Sequence, residues 1–314
     1  MFRNVTFYRF PKSLADSLRL MAFRGDLQDD LAASPAKPCG PLELQSRGWV
    51  SPYGDGSAAM FQQSGDCILL TLGGEDKVLP ASVVNDQLWR RLAEVEQRDR
   101  RRLGGKARKR LKEDLIHELL PRALCKPYRL AGYLDLQDCF LAVDTASRSA
   151  AEAFVSHLRH ALGSFPALPL SAEADPRKVL TEWVRFGTQW GEVNDWGELR
   201  VDDSATLEVA ASDCGKVTLS RLEITGDEVQ NHINAGMQCT RLGLTLDDRL
   251  SFTFGDDLIV RKLKLLDAAL DSLDSVERED LRAELDARFA LLSGEVRHLF
   301  RTLAGPFKFS TVEG

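Results

Sequence analysis

The sequence predicts an α+β fold with antiparallel sheets, flanking helices and a projecting helical hairpin. Three observations carry that reading. Short alternating segments joined by tight turns recur near residues 2–10, 128–144 and 237–263. Longer segments with apolar residues every three or four positions stand apart from them, chiefly at 82–120, 147–162 and 281–303. The chain has 314 residues, more than one small core usually serves, so several domains are expected. With 44% hydrophobic and 28% charged residues, the composition excludes wholesale disorder and collagen-like chains. No apolar run reaches the roughly 18 residues of a membrane-spanning helix, and the first ten residues lack a signal-peptide core.

Taken in order, Phe2, Asn4, Thr6, Tyr8 and Phe10 alternate with Arg3, Val5, Phe7 and Arg9, which is the period of a strand. Residues 13–31 read as one helix with Leu14, Leu18, Met21 and Phe23 on one side. Residues 34–41, with Pro35, Pro38, Gly40 and Pro41, are a loop. Residues 48–52 and 67–72 suggest two more strands. Val84, Leu88, Leu92 and Val95 give a helix over 82–103 one narrow apolar stripe, which Gly104 and Gly105 end. Ala107, Leu111, Leu115 and Leu119 repeat every fourth residue in a second helix, closed by Pro121. The two make an αα-hairpin whose first arm spans roughly 31 Å.

Residues 128–144 read as a β-hairpin turning near 135–138. Ser147 opens a helix that Gly163 ends, a proline-rich apolar connector follows, and residues 177–186 are helical. Thr225, Gly226, Asp227 and Glu228 read as a capping box for a helix ending at Gly236. Strands follow at 237–246, 250–254 and 258–263, turning at Asp247-Asp248 and at 255–257. Leu281, Leu285, Phe289, Leu292, Val296, Leu299 and Leu303 keep a helical rhythm that Gly305-Pro306 stops.

Charge is distributed very unevenly. The formal net charge is −6, yet residues 90–112 hold eleven Lys/Arg against three acids, a local +8. These are Arg90, Arg91, Arg98, Arg100, Arg101, Arg102, Lys106, Arg108, Lys109, Arg110 and Lys112. Residues 267–295 hold nine acids against three arginines. Arginines at the end of the first hairpin helix suit its dipole. Lys106, Arg108, Lys109 and Arg110 at the start of the second oppose it, at about 0.3–1 kcal/mol each when exposed. A polyanion would offset that cost; a solvated loop is the alternative. No aromatic lies between Trp89 and Tyr128, so the hairpin favours phosphate contact over base stacking. In the later strands Leu242, Leu244, Leu246, Leu250, Phe252 and Phe254 point inward if Arg241, Thr245, Arg249, Ser251 and Thr253 point outward. Such a face could track phosphates or be an ordinary wet sheet face.

Signatures of catalysis are weak. Cys39, Cys67, Cys125, Cys139, Cys214 and Cys239 are scattered without a Cys-x-x-Cys pair and read as reduced, small hydrophobes. His157 and His160 share a helix face, but nothing nearby completes a metal set. Asp202-Asp203, Asp247-Asp248 and Asp256-Asp257 could be nuclease carboxylates; they read as turn residues instead. Neither a P-loop nor a Gly-x-Ser-x-Gly elbow is present.

A series of short segments carries a resemblance. They are Cys39-Gly40 and Gly48-Trp49-Val50-Ser51-Pro52; Lys77-Val78-Leu79-Pro80; Leu120-Pro121-Arg122-Ala123; Leu162-Gly163-Ser164-Phe165-Pro166; Leu180-Thr181-Glu182-Trp183-Val184; and Asn231-His232-Ile233 through Thr240-Arg241-Leu242. In this order and spacing the chain resembles the RdgC family nearly end to end. The resemblance implies a curved monomer and a ring-shaped homodimer. The ring encircles duplex DNA without sequence preference, takes single-stranded DNA as well, and restrains RecA-dependent recombination. It implies a cytoplasmic, nucleoid-associated protein that is not an enzyme and needs no cofactor or metal.

The expected domains are a central one (1–79 and 125–170), the helical tip (80–124) and a base (171–314). Lys77, Arg122, Lys216 and Arg241 match basic positions facing the ring's hole. They join the hairpin's Arg98, Arg100, Arg101, Arg102, Lys106, Arg108, Lys109 and Arg110 as expected DNA contacts. Leu119, Leu120 and Leu124 are the expected dimer contact, Leu124 standing where the family carries an aromatic residue. Two other readings stay open: an inhibitor that binds RecA itself, with incidental DNA binding, and a metal-dependent nuclease.

Overall fold

The computed structural model describes residues 2–54, 56–100, 102–188, 198–209, 216–220, 226–271 and 281–312. It is α+β, with two antiparallel sheets. The seven-stranded sheet contains β1 (Thr6–Arg9), β2 (Gln45–Val50), β3 (Phe61–Ser64), β4 (Cys67–Val78), β5 (Leu124–Asp135), β6 (Phe140–Val143) and β7 (Leu168–Pro169). Its order is β2-β4-β5-β6-β1-β7, with β3 also paired to β4. The five-stranded sheet contains β8 (Leu199–Val209), β9 (Lys216–Ser220), β10 (Met237–Leu246), β11 (Leu250–Gly255) and β12 (Val260–Leu265), in the order β12-β11-β10-β8-β9. The described helices are α1 (Lys12–Arg24), α2 (Asp26–Ala32), α3 (Ala81–Asp99), α4 (Gly105–Leu119), α5 (Arg148–Leu162), α6 (Pro176–Phe186), α7 (Asp227–Asn234), α8 (Asp267–Leu270) and α9 (Leu281–Phe307). No helix among the described residues is long and apolar enough to cross a membrane.

The chain divides into two compact units. One comprises residues 1–33, 51–71 and 130–314; the other comprises 34–50 and 72–129, so β4 and β5 each run from one unit into the other. The first unit is organised by α9. Its Phe289 meets Tyr133 of β5, its Phe300 meets Phe7 of β1 and Phe140 of β6, and its Phe307 meets Phe254 of β11 and Trp183 of α6. One helix face therefore buries the inner sides of both sheets, at about 1.5–3 kcal/mol per large apolar side chain. Polar contacts fix its rotation: Arg297 donates to the fully buried Asp135 at 2.6 Å, Arg301 donates to Asp138 at 2.6 Å, and Glu295 accepts from Arg249.

The second unit holds β2, the later part of β4, the early part of β5, and the antiparallel pair α3–α4. Val84, Leu92, Leu115 and Leu120 are its buried helical seam. Arg47 stacks on Tyr128 at 3.6 Å and pairs with Asp76 at 2.6 Å.

Several boundaries differ from the sequence reading, each for a physical reason. The helix expected over 13–31 is two helices, because Gly25 takes φ 92° and turns the chain; Phe23 is 89% exposed. α3 stops at Asp99, where Arg100 adopts the left-handed region, and the two glycines start α4 instead of ending α3. α7 begins after an N-cap at Gly226, which has no side chain to cap with; Thr225 of the expected capping box lies outside the described residues. α9 runs through Gly305 and Pro306, since the wholly buried Phe307 holds the last turn against the core and Lys308, at φ 51°, ends it. The strands β3, β7, β8 and β9 were not expected, β7 lying in what was read as a connector, and Asp202 lies within β8, not at a turn.

Candidate nucleic-acid interface

The hairpin places its cations by two competing rules. Helix spacing and the packing of α3 on α4 give some of them carboxylate partners: Arg90 pairs with Asp86, Arg91 with Glu118, Arg98 with Asp99, Arg108 with Glu96, and Lys109 lies 4.0 Å from Glu113. Arg100, Arg102, Lys106, Arg110 and Lys112 are exposed and have no ion-pair partner among the described residues. Arg101 lies outside the described residues. The connection is closed by Glu96, whose Oε1 accepts from the Leu103 amide at 3.1 Å and from Arg108 at 3.2 Å. These two donors, the amide first, hold the Glu96 carboxyl below its usual range.

The other expected contacts sit differently. Lys77 is half-buried, and its Nζ donates to the carbonyls of Pro41 and Leu120, each at 2.8 Å, so it braces its own unit. Arg122 is exposed on the 3-10 turn at Leu120–Arg122. In the other unit, Arg241 is exposed on the outer face of β10, opposite Gly255 in register. Lys216 begins β9 opposite Glu208; its side chain lies outside the described residues. The sequence reading overlooked Lys262 and Lys264, both exposed on β12, and the Glu96 closure, which depends on how two helices align.

The inward and outward assignment holds for the leucines and phenylalanines of β10 and β11, all buried. Two of the three outward hydroxyls are already engaged. Thr245 donates to Asp202 at 2.7 Å and Ser251 to the same carboxylate at 3.4 Å. Arg249 does not face outward; it reaches Glu295 of α9. Of the three apolar residues expected at a dimer contact, Leu120 is only 2% exposed and belongs to the unit's core. Leu119 is half-buried, and Leu124 is 80% exposed.

Among the described side chains, the paired aspartates are occupied as acceptors. Asp247 accepts from the Glu198 amide at 2.6 Å and lies 2.6 Å from His298; Asp256 accepts from Arg177 at 2.7 Å; Asp257 pairs with Arg261. Among the described residues no three His, Cys, Asp or Glu side chains converge as metal ligands. Burial pushes the thiols of Cys67 and Cys239 up to about 12.

These features define an α+β protein whose most distinctive surface is a cationic helical hairpin on an acidic chain. The chain belongs to the RdgC family: the family model described as "Putative exonuclease, RdgC" matches residues 1–309. It is 48% identical to the recombination-associated protein RdgC of Xanthomonas campestris pv. campestris over 313 residues, covering 99% of both chains. Its identity to the protein of that name from Xanthomonas axonopodis pv. citri is 48% over 315 residues. Against the one from Stenotrophomonas maltophilia it is 45% over 313, again with 99% of each chain covered.

Proposed function

We propose that this chain binds DNA through the phosphate backbone without sequence preference, closes as a ring-shaped homodimer around the duplex on the nucleoid, and restrains RecA-dependent recombination without itself being an enzyme. The observation that carries the reading is the group of exposed, unpaired cations at the hairpin's turn, Arg100, Arg102, Lys106 and Arg110, in a chain of net charge −6. Acids elsewhere on the surface would confine a polyanion to this end. The printed name of the relatives, recombination-associated protein, supports a place in recombination. Dimer contact through the hairpin's unit is supported by its exposed apolar side chains, Leu124 at 80% and Trp89 at 65% together with Val83.

The experiment compares linear with closed-circular duplex at two salt concentrations, with magnesium present, and scores binding and cleavage on one gel. Binding that weakens steeply with salt, retention on circles and intact DNA support the reading. Metal-dependent cleavage would replace it with the nuclease that the family model's description names. Absence of binding, with RecA still inhibited, would replace it with a protein-directed inhibitor.

A further inference from the structure

We propose that Glu96 is a positioning residue that sets the cationic end of the hairpin for DNA, although its own charge repels phosphate. The inference rests on the DNA-binding reading above. It starts from a defect in α4. This helix has no acid in its first turn, its N-cap is Gly104, and Lys106, Arg108 and Lys109 crowd the end that favours negative charge. Nothing local to α4 compensates. The compensation comes from the neighbouring helix. Glu96 lies in the last turn of α3, and one of its oxygens accepts from both the Leu103 amide, just ahead of α4, and Arg108 within it.

The rest of the loop fits this closure. α3 gives up its helical path at Asp99, and Arg100 turns with φ 51°, a conformation that costs an arginine free energy and needs a tertiary reason. The Nε of Arg108 is buried and without a partner although the side chain as a whole is part-exposed, and Glu96 is its ion pair among the described residues. A guanidinium left there without the carboxylate would move out to water and release the start of α4.

Charge alone makes the opposite forecast. Deleting an acid from a +8 segment should strengthen attraction to DNA. Glu94 supplies the control, because it lies on the same helix, is exposed and has no partner among the described residues. Duplex binding is therefore measured for wild type, Glu96→Ala, Glu94→Ala and Glu96→Gln, with tryptic cleavage at the hairpin turn followed in parallel and circular dichroism confirming the fold. Glu94→Ala should bind at or above the wild-type level. Glu96→Ala should bind several-fold more weakly, with a salt slope smaller by about one, and should be cleaved several-fold faster. Glu96→Gln keeps an acceptor oxygen and should recover part of both losses.

Glu96→Ala binding as tightly as Glu94→Ala, or resisting trypsin as wild type does, would overturn the positioning role while leaving DNA binding intact. Wild type that binds no duplex would overturn the DNA reading first and this role with it.

Discussion

Replacing Arg100, Arg102, Lys106 and Arg110 together by Ala removes four of the five exposed hairpin cations that have no ion-pair partner among the described residues, Lys112 being the fifth. If each meets one phosphate, each contributes about 0.9 to the slope of log affinity against log salt. The quadruple variant should then lose up to about 3.6 of that slope. Between about 50 and 200 mM salt this is a difference of roughly two orders of magnitude in how far affinity falls. Arg90 and Arg91 are the internal comparison. They lie in the same basic segment but are paired with Asp86 at 3.0 Å and Glu118 at 2.6 Å, so Arg90→Ala with Arg91→Ala should change the slope by less than about one. Fluorescence anisotropy of a short labelled duplex across a salt series reads both. A folded quadruple variant whose slope matches wild type, or a double variant that loses as much, would refute the idea that unpaired charge at the turn makes the contact.

Three further outcomes are expected. Leu124→Asp should weaken the dimer in light scattering and reduce retention on closed circles more than affinity for short linear duplex; equal retention would remove Leu124 from the contact. Asp135→Ala should cost about 3–5 kcal/mol in urea unfolding, because it strands the Arg297 guanidinium and the amides of Gln137 and Asp138, and a loss below about 1 kcal/mol would contradict that accounting. In the folded protein the exposed Cys125 should react with a thiol reagent once the pH is raised well into the alkaline range, since desolvation and then Glu75 push its thiol up, while Cys67 and Cys239, buried and raised to about 12, should stay unreactive under the same conditions; modification of either as fast as Cys125 would show that the core opens there.

The fold was legible wherever a short-range pattern decides it. The alternation of β10 and β11, the Ser147 cap and Gly163 end of α5, and the four-residue repeats of α4 all report local geometry. What escaped was decided at long range. β8 carries Leu199, Val201, Ala205 and Leu207 at strand spacing, but Asp202, Asp203 and Ser204 interrupt the run. They are tolerated because the outer sheet face accepts Asp202 beside Thr245, and because the pairing with β10 shifts register at Leu242/Leu244. Neither fact exists until β10 is in place. Pro306 misled for a related reason. A proline near the end of a helix forfeits one hydrogen bond, and the burial of Phe307 outweighs that loss.

For the site, counting charge was sound and insufficient. Eleven Lys/Arg were visible; the Asp86–Arg90 pair follows from spacing along one helix but was not read from it. The Arg91–Glu118 and Arg108–Glu96 pairs join different helices and need their alignment. Once the pairs are drawn, the hairpin has a direction. Arg90 and Arg91 are paired along α3, whereas Arg100, Arg102 and Lys106 flank the turn, and Arg110 and Lys112 continue along α4, without ion-pair partners among the described residues. A uniformly basic rod would attract phosphate along its whole length and fix no register. Of the two acids at the turn end, Asp99 pairs with Arg98 at 3.0 Å and Glu96 accepts from the Leu103 amide and Arg108, the contact on which its proposed positioning role rests.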